Sequence, residues 1–99
     1  MVIKEKWGIH LLDAELIKTI PNTTGVYLLM GEDKTITFVD VTDDLQQSLS
    51  QHLTENALPN VRYFMCYEMI GEPEARRFEA KLIAEYLPYY NIYPLAPTA

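Results

Sequence analysis

Residues 74–91, Glu-Ala-Arg-Arg-Phe-Glu-Ala-Lys-Leu-Ile-Ala-Glu-Tyr-Leu-Pro-Tyr-Tyr-Asn, constrain the fold more than any other stretch of the chain. Ala75, Phe78, Leu82, Ile83 and Tyr86 recur at three- and four-residue spacing, the pattern of a helix with one core-facing stripe. Pro88 ends that helix, because the residue before a proline is pushed out of the α region. Glu79 falls inside the stripe, between Ala75 and the Leu82–Ile83 pair. A carboxylate aimed at apolar neighbours is costly unless something pairs with it or coordinates it. Glu79 is therefore the most informative residue in the sequence.

The rest of the chain supplies what this helix packs on. Asp13 is placed to cap a short helix over Ala14 to Ile20, which Pro21 ends. Pro21 to Gly25 is a loop of turn-forming residues. Gly25–Met30 and Thr35–Asp40 read as a hairpin around Gly31–Lys34, with a register that sets Met30 opposite Thr35 and Tyr27 opposite Phe38. The two-residue period then puts Tyr27, Leu29, Ile36, Phe38 and Asp40 on one face. Thr42 can cap a helix from Asp43 to about Glu55, with Leu45, Leu49 and Leu53 as its apolar line and Ser48 and His52 on one flank. Val61–Ile70 carries strand formers on both faces and reads as a buried or central strand. Residues 1–12 give no periodic signal, and Tyr89 to Ala99 reads as an irregular strap. The outcome is an α+β domain over residues 1–99, helix–hairpin–helix–strand–helix, with a small, mostly antiparallel three-stranded sheet flanked by helices.

Charge and composition narrow the function. The net charge is −6, and the basic residues are scattered apart from the Arg76–Arg77 pair. Nucleic-acid-binding domains draw most of their non-specific affinity from a basic patch, so the overall field opposes DNA. The single cysteine, Cys66, sits in an apolar run and reads as a buried thiol of a reducing compartment. No apolar run approaches the roughly 18 residues a membrane span needs, and the first residues lack a signal-peptide core. A cytoplasmic protein with no membrane contact is expected.

Taken together, Gly25-Val26-Tyr27 after Pro21, Phe38-Val39-Asp40 after a short turn, and the Glu74–Asn91 block resemble the GIY-YIG nuclease family. The version they resemble is the domain found at the N-terminus of the excision-repair endonuclease, and the match runs from about residue 21 to 91. The resemblance implies hydrolysis of a DNA phosphodiester around one divalent ion, Mg or Mn, held by a helix glutamate. It also implies a tyrosine that helps to activate water and an arginine that stabilises the charged phosphorane. Tyr27 stands at the first-motif tyrosine, Glu79 at the metal glutamate and Asn91 at the closing asparagine. Phe38 stands where the second-motif tyrosine belongs, Asp40 at its glycine, Val41 at a frequent lysine and Ser48 at the arginine. His52 departs less, since a tyrosine or histidine is usual there.

These departures imply a degenerate site: a GIY-YIG-like domain without nuclease activity and without a cofactor, acting as a binding or regulatory module. The alternative is a divergent metal-dependent endonuclease that takes its arginine from elsewhere, with DNA as partner. A protein partner or self-association is expected ahead of nucleic acid, and exposed aromatics at Tyr89, Tyr90 and Tyr93 suit a dimer contact. Bland roles compete at each site residue. Glu79 can pair with Arg76 or bond the loop before Gly25, and Tyr27 can be a core aromatic on Phe38. Asp40, His52 and Glu79 form a conceivable replacement metal set. Arg76–Arg77 reads as a solvated helix face, and His10 and Cys66 carry no functional reading.

Overall fold

The computed structural model describes residues 2–94. β2 (Gly25–Met30) and β3 (Ile36–Thr42) form the expected antiparallel hairpin, but its register differs from the expected one by two residues. Tyr27 lies opposite Asp40 and Leu29 opposite Phe38, whereas Met30 pairs with Ile36. A bulge between Leu29 and Met30 absorbs one residue and turns Ile36 to the opposite face from Phe38. The turn is closed by Gly31 and Thr35, with Lys34 in the left-handed region (φ 65°).

β4 (Tyr63–Met69) is central, as its two-sided apolar pattern requires. It pairs with β2 on one side and with β1 (Ile3–Leu11) on the other, giving an antiparallel order β1-β4-β2-β3. The sheet thus has four strands, not three. β1 is invisible to periodicity for two physical reasons. It is an edge strand exposed along nearly its whole length, and irregularities between Ile3 and Glu5 and between Trp7 and His10 break its alternation. Gly25 is fixed by close approach: a Cβ there would lie 2.2 Å from the Tyr67 carbonyl oxygen and 2.6 Å from Leu45 Cδ1.

One face of the sheet, with Tyr27, Leu29, Phe64 and Cys66, packs on Ile17 and Ile20 and on Leu45 and Leu49. Those residues come from α1 (Ala14–Ile17), the turn after it, and α2 (Leu45–Glu55). Asp13 caps α1 by accepting from the Leu16 N–H, but the helix is a single turn rather than reaching Ile20. α2 is capped by Asp44, not Thr42: Asp44 accepts from the Gln47 N–H at 3.0 Å. Asn56 ends α2 in the left-handed conformation. The opposite face, with Val26, Leu28, Met30 and Val39, packs on Ala75, Phe78 and Leu82 of α3 (Glu72–Tyr86). Tyr86 departs from the expected stripe and is 49% exposed. Leu87 leaves the helix with φ 47° immediately before Pro88. The following residues form a helical turn, α4 (Tyr89–Ile92), not an irregular strap, and residues 95–99 of that expectation lie outside the described residues. Among the described residues no helix is long and apolar enough to cross a membrane.

Candidate functional site

β3 is an edge strand, and its outward-facing peptide groups are covered by two side chains from the C-terminal block. The Asn91 amide accepts from the Val39 N–H at 2.8 Å and donates to the Val39 carbonyl at 2.8 Å. Two residues on, the Val41 N–H donates to Glu79 Oε2 at 3.1 Å and to Asp40 Oδ1 at 2.9 Å. These contacts explain the acid on the apolar stripe: α3 brings Glu79 to a backbone donor that has no strand beyond it. The expected bonds of Glu79 are not the ones formed. Arg76 pairs with Glu72 at 2.8 Å instead, and the loop before Gly25 donates not to Glu79 but to Glu68 of β4, which accepts from the Thr23 hydroxyl at 2.7 Å. Glu68, 8% exposed and 3.6 Å from Lys4 Nζ, is a buried acid that periodicity did not single out.

On the other face of β3, a cleft of about 320 Å³ is lined by Tyr27, Phe38, Asp40, Ser48, Gln51, His52, Glu55 and Ala57. Ser48, Gln51, His52 and Glu55 sit at i, i+3, i+4 and i+7 of α2, which turns one polar stripe towards the hairpin. The Tyr27 hydroxyl lies 2.9 Å from His52 Nε2 and 3.4 Å from Asp40 Oδ2. The rings of Tyr27, Phe38 and His52 are in mutual contact, with centroids 5.4 to 6.2 Å apart. Tyr27 is thus both a core aromatic, 3% exposed, and the hydroxyl that joins α2 to β3. Ser48 is turned to the strand, with its hydroxyl 2.6 Å from that of Thr42.

Burial first, and Asp40 second, push the Tyr27 phenol far above its ordinary range. Burial pulls His52 below its usual value, while Asp40 and Glu55 pull the other way. Glu79 is raised, by desolvation first and then by the facing Asp40 carboxylate. The Cys66 thiol is pushed up to about 12 by burial, which fits an inert side chain. Arg76 and Arg77 are exposed and paired with Glu72 and Glu74 on the same helix, the solvated face expected of them.

The sequence-predicted residues therefore divide. Tyr27, Phe38, Asp40, Ser48 and His52 share one cleft, while Glu79 meets that group only through Asp40 at the strand edge, and Asn91 is spread along the same edge. The replacement metal set of Asp40, His52 and Glu79 is not assembled. Among the described residues no group of three His, Cys, Asp or Glu side chains is placed to hold a metal, and His52 Nε2 is engaged by the Tyr27 hydroxyl. Glu79 alone stands where the family resemblance puts a metal ligand, and its Oε2 accepts from the Val41 N–H.

Comparison with known proteins places the fold and the family. A family model described as Domain of unknown function (DUF7508) covers residues 1–86. The chain is 31% identical over 85 residues to UvrABC system protein C of Shewanella sediminis and 32% identical over 87 residues to that of Caldanaerobacter subterraneus. These alignments take in 77% and 79% of this chain but only 14% of each relative. The GIY-YIG N-terminal endonuclease domain of UvrC from Thermotoga maritima, bound to its catalytic divalent cation magnesium, superposes with a TM-score of 0.67 at 23% identity. That superposition covers 78% of this chain and 92% of the other. A point mutant of the same domain gives a TM-score of 0.67 at 24% identity.

Proposed function

From a chain that belongs to the family described as Domain of unknown function (DUF7508) and has the GIY-YIG fold, we infer a binding or regulatory module that no longer cleaves DNA. One observation carries this reading: the residues lining the cleft include two carboxylates, Asp40 and Glu55, and no lysine or arginine. A phosphodiester entering such a cleft meets like charge and finds no guanidinium to stabilise the negative charge that develops at phosphorus. Loss of an arginine in that role costs on the order of 10³-fold or more in rate by analogy with other phosphoryl-transfer sites. Ser48, where the family resemblance puts that arginine, is bonded to Thr42. Phe38 supplies a ring without a hydroxyl, and Asp40 brings a carboxylate against the Glu79 that the resemblance makes the metal ligand.

The partner of such a module is a protein or a small ligand seated in the cleft, and the buried Cys66 thiol suits a reducing, cytoplasmic compartment. Incubation of the purified protein with supercoiled plasmid and with branched DNA, in Mg and in Mn, tests the reading. No cleavage is expected. Metal-dependent cleavage that Glu79→Ala abolishes would overturn it in favour of a divergent endonuclease.

A further inference from the structure

We propose that the cleft between α2 and the hairpin binds an organic cation, an amine or guanidinium head group, with Asp40 and Glu55 supplying the opposing charge. The proposal rests on the binding-module reading and names the ligand class for the same cleft. The volume, about 320 Å³, is enough for a head group with a short alkyl stem. One wall is aromatic: Phe38 and His52, both half-buried, line it, with the buried Tyr27 ring packed behind them. Electron-rich ring faces attract ammonium and guanidinium groups, and the attraction grows where water is partly excluded.

The other wall is rich in hydrogen-bond acceptors. Ser48, Gln51 and Glu55 project from α2, and Asp40 faces them from β3. Ser48 is bonded to Thr42, Gln51 donates to Glu55 at 3.1 Å, and Asp40 accepts from Val41 and Tyr27. Both carboxylates keep further lone pairs for a donor in the cleft. An ammonium has three N–H donors and a guanidinium five, and neither accepts a hydrogen bond, so this lining complements them in polarity as well as charge. The ion pairs among the described residues all lie elsewhere: Lys4–Glu68, Lys18–Glu15, Arg62–Glu32, Arg76–Glu72 and Arg77–Glu74. Lys6 and Lys34 lie over the rings of Tyr67 and Tyr63, also away from the cleft. Asp40 and Glu55 thus make no ion pair among the described residues: Arg76 acts on Asp40 only at longer range, and Glu55 accepts from the neutral Gln51 amide at 3.1 Å. An inorganic ion is less suited to this place, because no three ligating side chains converge there.

The test is a titration of the ¹⁵N-labelled protein, followed by amide shifts, with butylammonium, methylguanidinium and spermidine, and with butanol and butyrate as uncharged and anionic counterparts. The cations are expected to give saturable shifts at Phe38, Gln51, His52 and Glu55, and the counterparts none. Asp40→Asn is expected to weaken binding about tenfold and the more exposed Glu55→Gln about two- to fivefold. Gln51→Lys, which removes no buried group, is expected to weaken it as well by placing a cation of the chain's own in the cleft. Blocked lysine and arginine, set against spermidine, distinguish a protein side chain from a free polyamine by which binds more tightly. Absence of saturable cleft shifts with every cation, equal binding of butanol, or indifference to all three substitutions would overturn the proposal. No DNA is present in this titration, so its failure is separate from that of the non-cleaving reading, which the nuclease assay decides.

Discussion

Asp40 and Glu79 accept hydrogen bonds from the same amide, that of Val41, at 2.9 and 3.1 Å. One carboxylate comes from the hairpin and the other from α3, and they reach the amide from opposite faces of the sheet. A single N–H cannot neutralise two acids, and the Asp40 carboxylate disfavours the charge on Glu79. The pair joins α3 to the cleft.

Glu79→Gln is expected to raise the melting temperature at neutral pH. The amide keeps an acceptor for the Val41 N–H and offers a donor to Asp40. Solvent access moderates the gain to about 0.5 kcal/mol, or about 2–5 °C in a domain of this size. The sign of the pH dependence follows from the raised pKa of Glu79. The folded state holds that proton more tightly, so the contribution is present below the ordinary carboxylate value of 4.5 and is lost as pH climbs through the raised one. Thermal melts across this range should show the variant's advantage opening as pH rises and closing in acid. An advantage that does not change with pH would exclude the charge explanation.

Asn91→Ala should be among the more damaging single changes outside the apolar core. It removes both 2.8 Å bonds to Val39 and leaves an edge strand with an open peptide group. The expected loss is about 1–2 kcal/mol, or roughly 5–10 °C in melting temperature. Asn91→Asp should fall in the same direction, since it replaces the donor facing the Val39 carbonyl with an acceptor. Uncovering the β3 edge should also promote concentration-dependent association, which light scattering detects.

The sequence revealed the elements whose signals are local. The α3 stripe, the two-sided β4 and the Asp13 cap are each decided by neighbours a few residues away. What it hid depends on distant parts of the chain. β1 is defined by pairing with β4, not by its own alternation. The hairpin register is set by a bulge, which no turn motif announces. Glu79 was legible as an anomaly, and the family resemblance put it at a ligand's position. Its actual partner, the Val41 N–H, was not, because a free backbone donor exists only once β3 is known to be an edge. The stripe of Ser48, Gln51, His52 and Glu55 was half visible, from Ser48 and His52 at four-residue spacing.

His52 is expected to titrate below its ordinary value of 6.5, because burial disfavours the imidazolium. With its folded pKa depressed, its contribution to stability is present above the unfolded value and is lost as pH falls through the folded one. Asp40 opposes the shift, so Asp40→Asn should move the midpoint lower still. NMR titration of the ring protons measures both. A midpoint that rises on removing Asp40 would show that this carboxylate does not act on the ring as a charge.

Placing the family's residues at the positions where this chain departs from them gives the sharpest test of the proposed non-cleaving reading. Ser48→Arg alone should stay inert on plasmid DNA, because the new guanidinium enters a cleft that already holds Asp40 and Glu55 and pairs with them before it meets phosphate. Phe38→Tyr alone should also stay inert, since a hydroxyl does not offset the missing positive charge. The combination of Phe38→Tyr, Asp40→Gly and Ser48→Arg removes the carboxylate facing Glu79 and restores both the phenol and the guanidinium. That triple variant should nick supercoiled plasmid in Mg at least about 10³-fold faster than either single variant, the scale of an arginine that stabilises phosphoryl transfer. Asp40→Gly costs about 1 kcal/mol through strand glycine entropy and the lost bond to Val41, so melts must first confirm that the triple variant is folded. Nicking that disappears on adding Glu79→Ala locates the chemistry at the strand-edge acid. A folded triple variant that remains inert would mean that the motif positions alone do not account for the absence of cleavage, with Glu55 the acid left in the cleft to oppose the phosphate.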